Sequence, residues 1–354
     1  MRPAFVEALR CPGCGQTFAL EIRGAADAEV SEGVLRCACG RVFPVIAGIP
    51  RILPPELAAT LVEEHAAFFE RHPDLHPGRP AHSRTSSART LRAFGDEWRR
   101  FPELLAVHEP IFRWYFEGPK DVAWKGLRVL DAGCGMGRWL HFARQAGARV
   151  VGMDLSPAVE VAAAREGNGA DFVQGDLQWP PFPPGAFDLV YSLGVVHHLE
   201  DPRGGVRDLA QLVRPGGELR LYVYRSLAED PWPRRLVLRG VTLLRRITVR
   251  LPFGLAHAVS MTVAALGTAL FLLPRRWLRR SALGDRLTRG VPLAHYADVP
   301  FRMLVAEQFD RLCAPIEGRF RREQVAEWLA EAGFETQAIL PGLGWRAIGS
   351  RPPV

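Results

Sequence analysis

Between residues 127 and 221 the apolar positions fall into short runs separated by segments in which they recur every three to four residues. That alternation is what buried strands and the helices covering them require. It predicts strands at 128–130, 150–153, 171–173, 187–191 and 218–223, with helices at 138–146, 157–165 and 204–213. After a long interruption a helix at 322–332 and strands at 335–340 and 345–348 would close the same sheet. The pattern therefore predicts an α/β fold built on a seven-stranded, mainly parallel sheet with helices on both faces.

Three stretches depart from that pattern. Residues 1–54 hold two close Cys pairs among Gly and Pro and end in an apolar strand-like run at 42–46, which marks a small separate domain. Residues 55–120 read as a helical linker or cap. Within them 57–70 looks helical, 71–90 is crowded with His, Pro, Ser, Arg and Gly and reads as a mobile linker, and aromatics at helical spacing from Phe94 to Tyr115 predict one or two helices. The third domain is 121–354, interrupted by a helical insertion at about 226–300 that is apolar and basic together. Nineteen residues, 255–273, carry no charge apart from titratable His257 and are bracketed by Arg on both sides. They are long enough to span a bilayer. A single crossing would strand the last two sheet strands on the wrong side, which argues against it. A substrate-covering lid, a homodimer interface and an interfacial segment in peripheral contact with anionic lipid remain as alternatives.

Net charge is +7, with Lys only at positions 120 and 125, so the excess is carried by Arg. Such a balance suits an anionic partner but says nothing of fold. The first ten residues lack the apolar core and cleavage site of a signal peptide, and the expected location is cytoplasmic, including the inner face of the membrane. In that reducing compartment closely spaced Cys read as metal ligands before they read as disulfides.

Chemistry concentrates at the predicted strand ends. The first strand runs into Asp131-Ala132-Gly133-Cys134-Gly135-Met136-Gly137, a glycine turn that places backbone without side chains against a ligand at a helix N-terminus. The second strand ends in Asp154-Leu155, about twenty residues on, where a carboxylate can accept hydrogen bonds from ribose hydroxyls. Asp176-Leu177 follows the third, Ser192 ends the fourth, and His197-His198 come just after it.

In order and spacing, these motifs over residues 127–224 resemble the class I S-adenosylmethionine (SAM)-dependent methyltransferases, in particular the small-substrate group that includes ubiquinone and menaquinone methyltransferases. The resemblance implies a Rossmann-like sheet. It also implies that Asp131, Gly133 and Gly135 hold the methionine moiety of SAM, Asp154 and Leu155 the ribose, and Asp176 and Leu177 the adenine, with Ser192 near the sulfonium. A general base is optional when the methyl donor is already activated; His197 and His198 are the candidates, with no choice made between them.

Cys11, Cys14, Cys37 and Cys39 offer four thiolates in two close pairs, a set that suits structural zinc. The segment is similar to the zinc ribbon before some bacterial methyltransferase domains and in the activator subunits of tRNA methyltransferases, although its second pair is Cys-x-Cys. The expected activity is methyl transfer to a small-molecule or lipid-like acceptor, with oxygen preferred. An RNA base methyltransferase is the alternative. Against nucleic acid, much of the Arg clusters around the insertion, and no stretch interleaves aromatic with basic residues.

Overall fold

The computed structural model describes residues 1–23, 29–78, 85–229 and 232–353. The chain forms two compact units, one of Met1–Gly95, Leu104–Arg225 and Ile316–Val354, the other of Asp96–Glu103 and Ser226–Pro315.

The first unit is organised by one sheet. Its strands are β1 (Phe18–Ile22), β2 (Gly33–Cys37), β3 (Val42–Ile46), β4 (Ile49–Ile52), β5 (Arg128–Ala132), β6 (Arg149–Asp154), β7 (Asp171–Gly175), β8 (Phe187–Leu193), β9 (Val213–Tyr224), β10 (Glu335–Leu340) and β11 (Gly344–Ser350). They lie in the order β1-β2-β3-β4-β7-β6-β5-β8-β9-β11-β10. Strands β5 to β9 pair in parallel, as their apolar runs predict for strands buried on both faces; Val129, Leu130, Val173 and Val190 are fully buried. Antiparallel β11 wedges between β9 and β10 and completes the seven predicted strands. The chain builds outward from β5 in one direction and then from β8 in the other, so the switch point of the sheet lies between these two strands.

The Cys-containing segment contributes the other four strands. They form an antiparallel ribbon whose last member, β4, pairs in parallel with β7 through Arg51 and Ile52. Arg51 is fully buried there. Its guanidinium donates to Gln174 Oε1 (2.9 Å) and to the Ile46 carbonyl (3.1 Å) and pairs with Glu160 at 2.9 Å.

Helices α1 (Pro55–Glu64), α2 (Ala66–Arg71), α3 (Thr85–Arg100) and α4 (His108–Phe116) lead into the sheet, and α5 (Arg138–Gln145), α6 (Val159–Glu166) and α7 (Pro202–Gln211) connect its strands. Two expectations change here. The supposed linker at 71–90 holds a 3₁₀ turn at Pro73–Leu75 and the first turns of α3, while 79–84 lie outside the described residues. The start of α3 is polar, so no apolar period marks it; the helix is anchored further on, where Leu91 is buried. The fifth strand is also longer than its apolar run, because the pairing resumes after a bulge, Phe187 facing Val213 and Leu189 facing Glu218.

The second unit contains α8 (Trp232–Thr248), α9 (Phe253–Gly267), α10 (Leu273–Leu278), α11 (Ala282–Thr288) and α12 (Phe301–Cys313). Ala256, Phe309, Leu312 and Cys313 form its core, with Val241, Leu244 and Phe253 packed against them. A π-helical turn, Thr268–Leu272, joins α9 to α10, so that Phe253–Leu278 is one helix of 26 residues. Helix α13 (Arg322–Glu331) returns the chain to the first unit and precedes β10.

Candidate functional site

The candidate residues come together because each ends a parallel strand on the same edge of the sheet. Asp131 is next to last in β5 and 1% exposed, with Tyr191 of β8 donating its hydroxyl to the carboxylate at 3.0 Å. Burial, with a smaller contribution from the charge of Asp154, pushes its pKa up to about 8 despite that hydrogen bond. The chain then turns through Gly133 at φ +86°, where the amides of Gly133 and Cys134 both donate to the Met153 carbonyl. A Cβ at Gly133 would lie 2.4 Å from the Val195 side chain, so the turn excludes any larger residue.

Asp154 closes β6 and braces this turn. One carboxylate oxygen accepts the Gly135 amide at 2.7 Å, and the other accepts the Ser156 amide (2.8 Å) and hydroxyl (2.7 Å). Burial raises its pKa, and these hydrogen bonds work against the rise. The carbonyl of the adjacent Leu155 accepts Gln174 Nε2 at 3.0 Å, and Gln174 is the residue gripped by Arg51. Asp176, just past β7, is 4% exposed and accepts the Gln178 amide at 2.9 Å, while Leu177 is buried in the core.

Ser192, next to last in β8, is wholly buried, its hydroxyl donated to the Ala132 carbonyl at 2.8 Å. Its role in this structure is to pin β8 to β5. Cys134 and Cys313 are small buried residues, in keeping with their lack of a nearby Cys in the sequence.

The two histidines occupy a 3₁₀ turn, Val196–His198, and differ sharply. His197 is fully buried and stacked on Tyr224 at 4.0 Å, and neither ring nitrogen has a hydrogen-bond partner among the described residues. Burial, aided by His198 and Arg319, holds its pKa well below the usual range, so the ring is neutral. The His198 ring lies 5.0 Å from that of Phe94, and Nδ1 is 2.6 Å from the Ile316 carbonyl. A carbonyl only accepts, so Nδ1 is the donor, and of the two nitrogens only Nε2 can accept a proton when the ring is neutral. The segment after Ile316 also caps this turn, the Gly318 amide donating to the His197 carbonyl at 2.7 Å.

Tyr191, Ser156, Tyr224 and the Ile316–Gly318 segment are site components that the sequence pattern does not mark. Tyr191 alone leaves a signal there, since a phenol inside an apolar strand needs a buried partner. The others act through the fold.

At the N-terminus the four Cys sulfurs lie within 4.8 Å of one another, Cys14 to Cys37 at 3.3 Å and Cys11 to Cys39 at 3.8 Å. Turns at both pairs bring this about: the Gly15 amide donates to the Cys11 carbonyl and the Gly40 amide to that of Cys37. Sulfurs bound at about 2.3 Å to a tetrahedral ion would be spaced in this way.

Residues 130–221 match the family described as "Methyltransferase domain". The strand order, the glycine turn and this match agree. Residues 130–221 of the first unit are a methyltransferase domain. Among similar proteins, a probable tocopherol O-methyltransferase of Oryza sativa subsp. japonica is 34% identical over 36% of this chain and 38% of its own length. A ubiquinone biosynthesis O-methyltransferase of Xanthomonas euvesicatoria pv. vesicatoria is 34% identical over 37% of this chain and 55% of its own. A SAM-dependent methyltransferase structure from Mesorhizobium loti has 18% identity and a TM-score of 0.42, covering 70% of this chain and 98% of that one. The chain spans about half or less of the curated relatives' length.

Proposed function

We propose that this protein transfers the methyl group of SAM to an oxygen of a small or lipid-like acceptor, in the cytoplasm or at the inner face of its membrane. The observation that carries the reading is the convergence of Asp131, Asp154 and Asp176 on one edge of the sheet, beside its switch point, around a glycine turn that admits no side chain. Relatives named for tocopherol and for ubiquinone biosynthesis support the acceptor class. The fit to SAM rests on Asp131, a buried carboxyl that accepts the Tyr191 hydroxyl and whose pKa burial nonetheless raises, so that a ligand ammonium group would suit it.

In this reading Asp131, with the backbone of Gly133 and Gly135, holds the methionine moiety, Asp154 and Leu155 the ribose, and Asp176 and Leu177 the adenine. SAM, when bound, supplies a methyl group already activated on a sulfonium. The protein's task is then to align an acceptor and exclude water. His198 is the general base: Nδ1 is fixed by Ile316, and Nε2 takes the acceptor's proton. His197, neutral and enclosed, is part of the wall that positions it.

The Cys11, Cys14, Cys37 and Cys39 set would hold a structural zinc ion. All four ligands are protein thiolates, so the site is closed to substrate and serves the ribbon. The deciding experiment is calorimetric titration with SAM and separately with NAD, with elemental analysis of the same sample. Micromolar SAM binding, no NAD binding and about one zinc per chain are expected. A folded, zinc-loaded sample that binds NAD and not SAM would overturn the reading.

A further inference from the structure

The second unit presents its apolar residues outward. Fifteen of the eighteen large apolar side chains exposed among the described residues belong to it. On α8, Trp232, Leu236, Leu243 and Ile247 are separated by four, seven and four residues and so share one face, while Leu238 and Thr248 are buried on the other. The long helix Phe253–Leu278 repeats the arrangement. Ala256, Ser260, Ala264 and Leu272 are buried, whereas Leu255, Leu266, Leu273 and Trp277 are exposed, and only 28% of its most apolar stretch is covered. Soluble proteins seldom leave apolar helix faces of this length uncovered without a partner for them.

Charge identifies the partner. Residues 232–293 contain twelve Arg and a single acid, Asp285, which gives the segment a net charge of +11. The whole chain carries +7, so the remainder is −4 and the basic character of the protein belongs to this segment. Arg239, Arg246, Arg280 and Arg286 are exposed and make no ion pair with any described residue. A second copy of the chain would set one such surface against another, and like charges would oppose the contact. An anionic bilayer offers an apolar layer beneath a negatively charged one and so matches both properties together.

We propose that the second unit docks peripherally on anionic membranes, with the exposed faces of α8 and of Phe253–Leu278 in the outer acyl region and the unpaired Arg among the headgroups. Trp232 and Trp277, 70% and 68% exposed, suit the interface between these layers. Docking is peripheral because the long helix has a face committed to the unit's own core, and because a single crossing would separate β5–β9 from β10 and β11 of one sheet.

The test is sedimentation of the full-length protein with vesicles of phosphatidylcholine, alone or mixed about three to one with phosphatidylglycerol, at low and high salt. Binding to the mixed vesicles alone, weakened by salt, with a blue shift of tryptophan fluorescence, is the expected result. Arg246→Glu with Arg280→Glu, and separately Leu243→Asp with Ile247→Asp, should each weaken vesicle binding by about tenfold or more, while an unchanged circular dichroism spectrum and Tm report that the fold is intact. Equal binding to both vesicle types, retention after an alkaline carbonate wash, or a lipid-free dimer or RNA complex without vesicle binding would each overturn the proposal. No outcome depends on methyl transfer, so the proposal and the enzymatic reading fail separately.

Discussion

At the residue scale the most informative group is Asp131. Its pKa is pushed up to about 8 by burial, so the carboxyl is protonated in the folded protein at neutral pH but ionised in the unfolded chain above its ordinary value near 4. The unfolded state thus binds fewer protons between about pH 4 and pH 8. The stability contributed by this group is complete below that window and lost as pH rises through it. A ligand ammonium favours the ionised form, so SAM binding at pH 7 should release a proton from Asp131. Calorimetry in buffers of different ionisation enthalpy should detect that release in the wild type and lose it in Asp131→Asn; equal proton counts would remove Asp131 from the methionine site. Asp154 supports a second expectation. Because its carboxylate carries both the Gly135 and Ser156 hydrogen bonds, Asp154→Ala should weaken SAM binding by roughly tenfold to a hundredfold or more, at about 1.5–3 kcal/mol per charged hydrogen bond. The histidines separate by kinetics. His198→Gln should lower kcat by about 10²–10⁴ with SAM affinity unchanged, whereas His197→Gln, set into a full core position against Tyr224, should lower Tm first. The reverse pattern would exchange their roles.

At the element scale, a good part of the domain is legible in the amino-acid sequence. Strands β5, β6 and β8 announce themselves as short apolar runs because they are buried on both faces, and the strand-end acids are conspicuous as the polar residues that terminate those runs. The pairing of β4 with β7 is not legible. Two registered residue pairs between segments more than a hundred positions apart leave no periodic trace. Arg51 shows why such joints escape notice: an Arg in a sequence reads as surface, yet here it is fully buried with three acceptors around it. Removing it would take the donor from Gln174 Oε1 and leave Glu160 with His65 in place of a permanent cation. Arg51→Ala should therefore cost about 3–5 kcal/mol of stability, seen as a lower Tm, and loosen Leu155 through Gln174. A loss below about 1 kcal/mol would mean that water replaces the guanidinium and that the joint is held by strand pairing alone.

At the scale of the whole molecule, the ribbon is an extension of the sheet that carries the candidate site. Its Cys cluster is built from the segment before β1 and from the end of β2 with the turn that leads to β3, while the residues assigned to SAM sit at the ends of β5, β6 and β7. Metal binding that depends on folded ligands contributes its free energy to folding, so zinc bound at Cys11, Cys14, Cys37 and Cys39 would stabilise the ribbon and, through β4, protect the edge of β7. Cys14→Ser should abolish stoichiometric zinc, lower Tm, and open residues 1–52 to protease before the rest of the chain. SAM affinity should fall only modestly, because the hydrogen-bonded route from the ribbon to the proposed ribose site runs from Arg51 through Gln174 to the Leu155 carbonyl and leaves Asp131 and the glycine turn untouched. Loss of SAM binding in step with zinc would mean instead that the ribbon and the SAM site fold as one cooperative unit, and the metal would then be a condition for activity.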